Sequence, residues 1–333
     1  MERIQSMARR QLLLKPGTQD RWKITMVKRT RSVMGTIIYY LVMLSLSFVF
    51  LYPLLYIISR SFMTSVDVAN ATVQWIPTHL SFANYRIAME QIHYWPGFAN
   101  SAIISFGSAF LQILSCSLVG YGFARFRFPG RGLWMALLLF TFLVPPQTIV
   151  VPLYLFFSDI PFLHMNWINT HLPFVVPSLF GHGLKGALFV LIFIQFYRRL
   201  PHVLEEAARI DGAGPVRTYW KIMFPLARPA MLVVFLFSVV WHWNDVFEPT
   251  TYLTVPDFFN LAQNMATFNG SADAQMGQMA QSVSSSQAIG MPPTLMNQIM
   301  AAVMLTIIPI LLLYLFVQRY FVESIENSGI AGE

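Results

Sequence analysis

The residues able to do chemistry in this chain are few and fall in two places. The first is the stretch from Leu200 to Pro225, LPHVLEEAARIDGAGPVRTYWKIMFP, which sets Glu205, Glu206, Arg209, Asp211 and Arg217 between two long apolar runs. Charged groups at this spacing suit contact with another protein surface. Ala207 and Ala208 leave little side chain between backbone and neighbour, and small residues let helical surfaces approach closely. The second place is Lys185, with His182 beside it, inside an apolar run. A lysine at membrane depth is costly unless it meets water, a carboxylate or backbone carbonyls, so Lys185 marks a candidate solute path. Gln147 and Asn244 are amides that can hydrogen-bond a polar solute or bridge helices. The sequence holds no HExxH motif, no G-x-S-x-G elbow and no paired-carboxylate cluster on one side of the bilayer, so membrane-enzyme chemistry is not expected.

The elements around these residues follow from local grammar. Pro201 cannot continue a preceding helix, and Glu205 stands four residues before Arg209, a favourable helical spacing. A short amphipathic helix is predicted from about His202 to Asp211. Gly212 suits the left-handed residue that ends it, and Pro215 is tolerated in the first turn of a second helix carrying Arg217 and Lys221. Lys185 lies twelve residues before Tyr197, roughly 18 Å along a helix. Gly181, Gly183 and Gly186 offer the alternative that the segment unwinds near the outer surface and lets Lys185 snorkel. Pro145-Pro146, followed by Pro152, marks a break where freed carbonyls can line a cavity.

Composition fixes the class. With 56% hydrophobic, 15% aromatic and 11% charged residues and a mean hydropathy of +0.55, the chain is an integral membrane protein rather than a soluble domain. Six apolar runs approach the length of about 20 residues that a spanning helix requires: Gly35 to Ile58, Ser101 to Ala124, Leu133 to Phe156, Pro173 to Tyr197, Pro229 to Phe247 and Asn297 to Val317. The runs are continuous rather than alternating, which favours an all-α bundle over a barrel.

Nineteen of the 22 lysines and arginines fall before Val33, in Arg125 to Arg131, in Arg198 to Arg228, or at Arg319. Six spans place all of these on one side, and short basic loops stay cytoplasmic, so both termini are expected inside. The opposite loops carry Asp67, Glu90, Asp159, Glu248, Asp257 and Asp273. The first run lacks a small-residue cleavage site and is expected to be a retained anchor. The net charge of +7 is accounted for by cytoplasmic segments that can touch anionic lipid, with no support for nucleic-acid binding. The single cysteine, Cys116, excludes an intrachain disulfide and suits packing; no metal site is expected. The expected organisation is a basic tail (1–33), a six-helix transmembrane domain (34–317) with an extracellular, mobile loop over about 248–296, and a C-terminal tail (318–333).

The order Glu206-Ala-Ala-Arg-Ile-Asp-Gly212, nine further residues, then Ile222-Met-Phe-Pro225 resembles the cytoplasmic motif of permease subunits of binding-protein-dependent ABC importers. Phe224 stands where that family usually has Leu. Pro77 with Asn84-Tyr85, Asn100-Ser101, Trp243-Asn244 and Gln318-Arg-Tyr-Phe-Val322 extend the resemblance to the maltose-transporter type of carbohydrate permease. The resemblance implies a six-transmembrane-helix permease whose coupling helix, about 202–215, docks on a separate ATPase subunit. Glu205, Glu206, Ala207, Ala208, Arg209, Asp211, Gly212 and Arg217 would form the docking surface. It further implies a second permease, two ATPase subunits and an external solute-binding protein as partners, with ATP and Mg on the ATPases and no cofactor on this chain. The absence of a G-x-x-x-x-G-K-S/T phosphate loop agrees with that division of labour. Substrate alternatives are neutral or acidic oligosaccharides, polyols and glycerol phosphodiesters. A secondary transporter is the reading from another class. The tail carries Ser328-Gly-Ile-Ala-Gly332 and lacks the lysine usual at the end of maltose-type permeases, where the C-terminal extension reaches the ATPases.

Overall fold

The computed structural model describes the backbone from Thr18 to Gly329 except residues 71, 74, 162 and 283–292. The chain divides into two units, Met1–Ile57 and Ile58–Glu333. The described part of the first belongs to helix α1, Thr18–Ser61, which is already helical through the second half of the expected basic tail. Residues 1–17 of that tail lie outside the described residues.

The second unit holds the end of α1 and then α2 (Ser65–Ala69), α3 (Ala83–Gln91), α4 (Tyr94–Arg125), α5 (Arg131–Leu143), α6 (Pro146–Ser158), α7 (Leu172–Leu179) and α8 (Gly186–Arg199). It continues with α9 (Val203–Ile210), α10 (Pro215–Thr218), a π turn (Tyr219–Met223), α11 (Phe224–Leu226), α12 (Arg228–Asn244), α13 (Phe247–Tyr252), α14 (Leu261–Ser282) and α15 (Pro293–Gly329). Among the described residues there is no strand. Among the described residues, Val33–Ser61, α4 and Leu295–Tyr320 are each long and apolar enough to cross a bilayer, and three bent helix pairs bring the number to as many as six.

The breaks have local causes. Helices α5 and α6 meet at 99°, where Pro145 is extended and Pro146 opens α6, as the proline pair predicts. The expected continuous span Pro173 to Tyr197 is instead two helices, α7 and α8. Gly181 at φ +71° and Lys185 at φ +60° turn the backbone between them. Gly183 and Gly186 are required there for space: an added Cβ would lie 2.5 Å from Gln112 Nε2 in one case and 2.4 Å from the Gly181 carbonyl oxygen in the other.

Helix α4 is the central mast. Ser101, Ser105, Ser108, Gln112, Cys116 and Ser117 are fully buried along it, a small and hydrogen-bonding face of the kind that lets membrane helices pack closely. Cys116 therefore serves packing. At Gly120 the backbones of α4 and α8 come so near that a Cβ would sit 2.5 Å from Phe193 Cβ. Below that contact Tyr121, Phe193, Tyr197, Tyr219, Met223 and Ala227 form one buried cluster.

The stretch over about 248–296, expected as a loop, is largely helical where it is described. Helix α14 occupies Leu261–Ser282, with Leu261, Phe268 and Ala272 buried against Trp243 and against Ala301, Ala302 and Leu305 of α15. Positions 261, 268 and 272 share one helical face, and tertiary burial of that face stabilises a segment whose overall polarity suggested a loop. Residues 283–292 lie outside the described residues. At the other end, α15 continues through the expected C-terminal tail to Gly329; the remainder of that tail lies outside the described residues.

Gly120→Val should destabilise the folded protein by about 1–3 kcal/mol through overpacking, whereas Gly122→Ala should be near neutral because no atom lies within 4 Å of an added Cβ there. Thermal unfolding of the two variants in detergent checks the contrast.

Candidate functional site

The charged stretch folds into an elbow. α9 ends at Ile210, and Gly212 adopts φ +76°. The Gly212 N–H donates to Arg209 O at 3.0 Å, and the Ala213 N–H to Ala208 O at 2.8 Å. This pair of bonds is a Schellman closure, which satisfies the last carbonyls of a helix by a left-handed glycine. Gly214 is extended and Pro215 opens α10, as the sequence predicts. The Thr218 hydroxyl then donates to Gly214 O at 3.1 Å.

The two faces of α9 differ. Glu205 and Ala208 are buried, 8% and 3% exposed. Val203, Glu206, Ala207 and Ile210 are exposed, Ile210 at 87%. Positions 203, 206, 207 and 210 follow the three- and four-residue spacing of one helix face, so the free surface is an apolar stripe carrying a single carboxylate. Arg209, Asp211, Gly212 and Arg217 are also exposed around it. The favourable Glu205–Arg209 spacing is not used. Glu205 turns inward, with Oε1 3.4 Å from Arg125 Nε at the end of α4. Glu205 and Ala208 therefore face the spans rather than the exposed side of α9, and for Glu205 the cause is a partner remote in sequence, Arg125.

Lys185 caps the N-terminus of α8 instead of lying within a continuous helix. Together with His182 it lines a cavity of about 410 Å³ in the crook of the bent α5–α6 pair. The rest of the wall is mainly apolar and aromatic, with Thr141, His242, Glu248 and Tyr252 as the other polar members. Lys185 and Asp245 both act electrostatically on Glu248, and the Lys185 ammonium stands 5.9 Å from the centre of the Trp241 ring. Sequence reasoning placed Glu248 in an external loop and missed its part in this cavity. The only available signal was a carboxylate three residues after Asp245, the spacing of one helix face.

Neither amide candidate joins this wall. Asn244 is exposed and donates to Val240 O of its own helix at 2.9 Å, and Gln147 is exposed in the first turn of α6. Buried polar contacts instead support the cavity from behind. Gln112 Nε2 donates to Leu184 O at 3.0 Å, the Ser238 hydroxyl donates to Gln112 Oε1 at 2.6 Å, and His242 Nδ1 lies 2.8 Å from Ser238 O. Among the described residues no group of three or more His, Cys, Asp or Glu residues is placed to hold a metal ion.

Known proteins share both sequence and architecture with this chain. It is 29% identical over 285 residues to the diacetylchitobiose uptake system permease protein NgcG of Streptomyces coelicolor, covering 85% of this chain and 84% of that one. It is 28% identical over 292 residues to the arabinooligosaccharides transport system permease protein AraQ of Halalkalibacterium halodurans, covering 86% and 93%. A chain in the crystal structure of a bacterial ABC transporter involved in the import of the acidic polysaccharide alginate superposes with a TM-score of 0.68 at 20% identity, over 88% of this chain and 98% of that one. The fold is thus that of an ABC importer permease. Residues 116–327, which contain the elbow, the cavity break and the last two spans, match the model of the binding-protein-dependent transport system inner membrane component, and the chain belongs to that family.

Proposed function

We propose that this chain is the permease subunit of an ATP-driven importer that carries an oligosaccharide across the cell membrane by alternating access. The observation that carries the reading is the two-faced elbow. One side of α9 is anchored to α4 through Glu205, while Val203, Glu206, Ala207 and Ile210 stand free on the other. A helix held this way can receive a push from a docked subunit and pass it to the spans. ATP and Mg belong on two separate ATPase subunits, which dock on the elbow from the cytoplasm. A second permease completes the path, and an external solute-binding protein delivers the solute. The distribution of basic residues supports an orientation with both termini in the cytoplasm.

A carbohydrate is favoured by the two relatives named for diacetylchitobiose and arabinooligosaccharides. Lys185 gives the cavity wall an ammonium that can meet the hydroxyls of a neutral sugar or the carboxylate of an acidic one. Aromatic walls beside a few polar groups suit sugar rings, which present apolar faces and hydroxyl edges.

Two measurements test these assignments in the intact transporter. Ala207→Arg and Ile210→Asp should each weaken retention of the ATPase subunits by about thirtyfold or more, the scale of an interface hot spot. Retention at the parental level on co-purification would refute the docking face. Lys185→Met should lower uptake at equal expression by roughly tenfold, consistent with loss of one charged contact, while Lys185→Arg retains more. Parental uptake by both lysine variants would remove Lys185 from the path.

A further inference from the structure

The corner between α8 and α9, bent by 75°, is filled from inside by one side chain of α4. Arg125 Nη2 donates to Leu200 O, the carbonyl that ends α8, at 2.6 Å. Arg125 Nε lies 3.4 Å from Glu205 Oε1, with the two side chains only 2% and 10% exposed. Nη1 is 3.1 and 3.2 Å from the His202 ring nitrogens, and His202 Nδ1 is 3.9 Å from Glu205 Oε2. Arg125 Nε and Glu205 Oε1 have no hydrogen-bond partner, so the link between them is charge rather than an aligned hydrogen bond. A guanidinium suits this place because its fork reaches several acceptors at once and stays charged when buried. Its charge also lies at the C-terminal ends of α4 and α8, where the helix dipoles are negative.

The other arm of the elbow is tied to the same mast. The Tyr219 hydroxyl donates to Ser117 Oγ at 3.1 Å, and Ser117 Oγ is 2.7 Å from the Tyr197 hydroxyl. The spans themselves do not need Arg125 to pack, because α4 and α8 are already in contact at Gly120 and Phe193. Removing the guanidinium would leave the bundle joined and free only the short helix α9.

We infer that Arg125 is a positioning residue of the transport cycle, a brace that makes α4, α8 and α9 one rigid lever so that displacement of α9 reaches the spans undiminished. The inference rests on the function proposed above. Breaking a buried ion pair by removing one partner leaves the other charge uncompensated, so α9 should swing or loosen rather than keep its angle.

The test uses the complete transporter, with both permeases, both ATPases and the binding protein, in lipid vesicles, and reads sugar taken up per ATP hydrolysed. Arg125→Met and Glu205→Gln should each lower that ratio by about tenfold, the size of a typical coupling effect. Arg125→Lys should recover part of it, and the reversed pair Arg125→Glu with Glu205→Arg should exceed Arg125→Glu alone. A parental ratio in both Arg125→Met and Glu205→Gln overturns the brace. So does loss of the ATPases from both variants, because the pair would then shape the docking face without transmitting motion. If the parent transporter shows no ATP-dependent uptake, the proposed function falls instead.

Discussion

Backbone exposed within a bilayer must find hydrogen-bond partners inside the protein, and this constraint organises the structure. The expected fourth span is broken between α7 and α8, which frees backbone carbonyls within an apolar segment. Helix α4 answers them from its small-residue face. The Ser108 hydroxyl donates to Phe174 O at 3.2 Å, the Ser115 hydroxyl to Ser178 O at 2.7 Å, and the Gln112 amide to Leu184 O at 3.0 Å. These contacts give carbonyls on both sides of the break a partner on α4. They also fix Lys185 at the mouth of α8 in a left-handed conformation that a lysine does not choose by itself.

The same helix governs the end that carries the elbow. Gly120 brings α8 against α4, Ser117 gathers Tyr197 and Tyr219, and Arg125 fills the corner beyond. The elbow is therefore an extension of α4 and α8 rather than a loop hung between spans. Its exposed stripe is apolar, and a strongly exposed isoleucine on a helix so firmly tethered suits a surface that another protein covers. Cavity and elbow share one mast, so a rotation of α4 would be felt at both.

Integral membrane class, the positions of the apolar runs, the proline break after Val144 and the glycine closure after Asp211 were legible in the sequence. Each depends on residues close together along the chain: a run long enough to span, a proline that cannot donate, a glycine that tolerates positive φ. The helical state of Leu261–Ser282 was not legible. Its polar composition reads as a loop, and only the burial of Leu261, Phe268 and Ala272 against α15 and Trp243 gives it a reason to be ordered.

The sequence by itself determined that the chain is a helical membrane protein with a charged, glycine-closed elbow and a lysine within an apolar run, because composition and local backbone preference act over a few residues. Tertiary structure alone decided which side of the elbow is free, that Glu205 answers Arg125 rather than Arg209, and that Glu248 faces the cavity holding Lys185. Those outcomes depend on which remote groups packing brings together, and a helix periodicity that repeats every three or four residues offers the same charge to several neighbours until burial selects one.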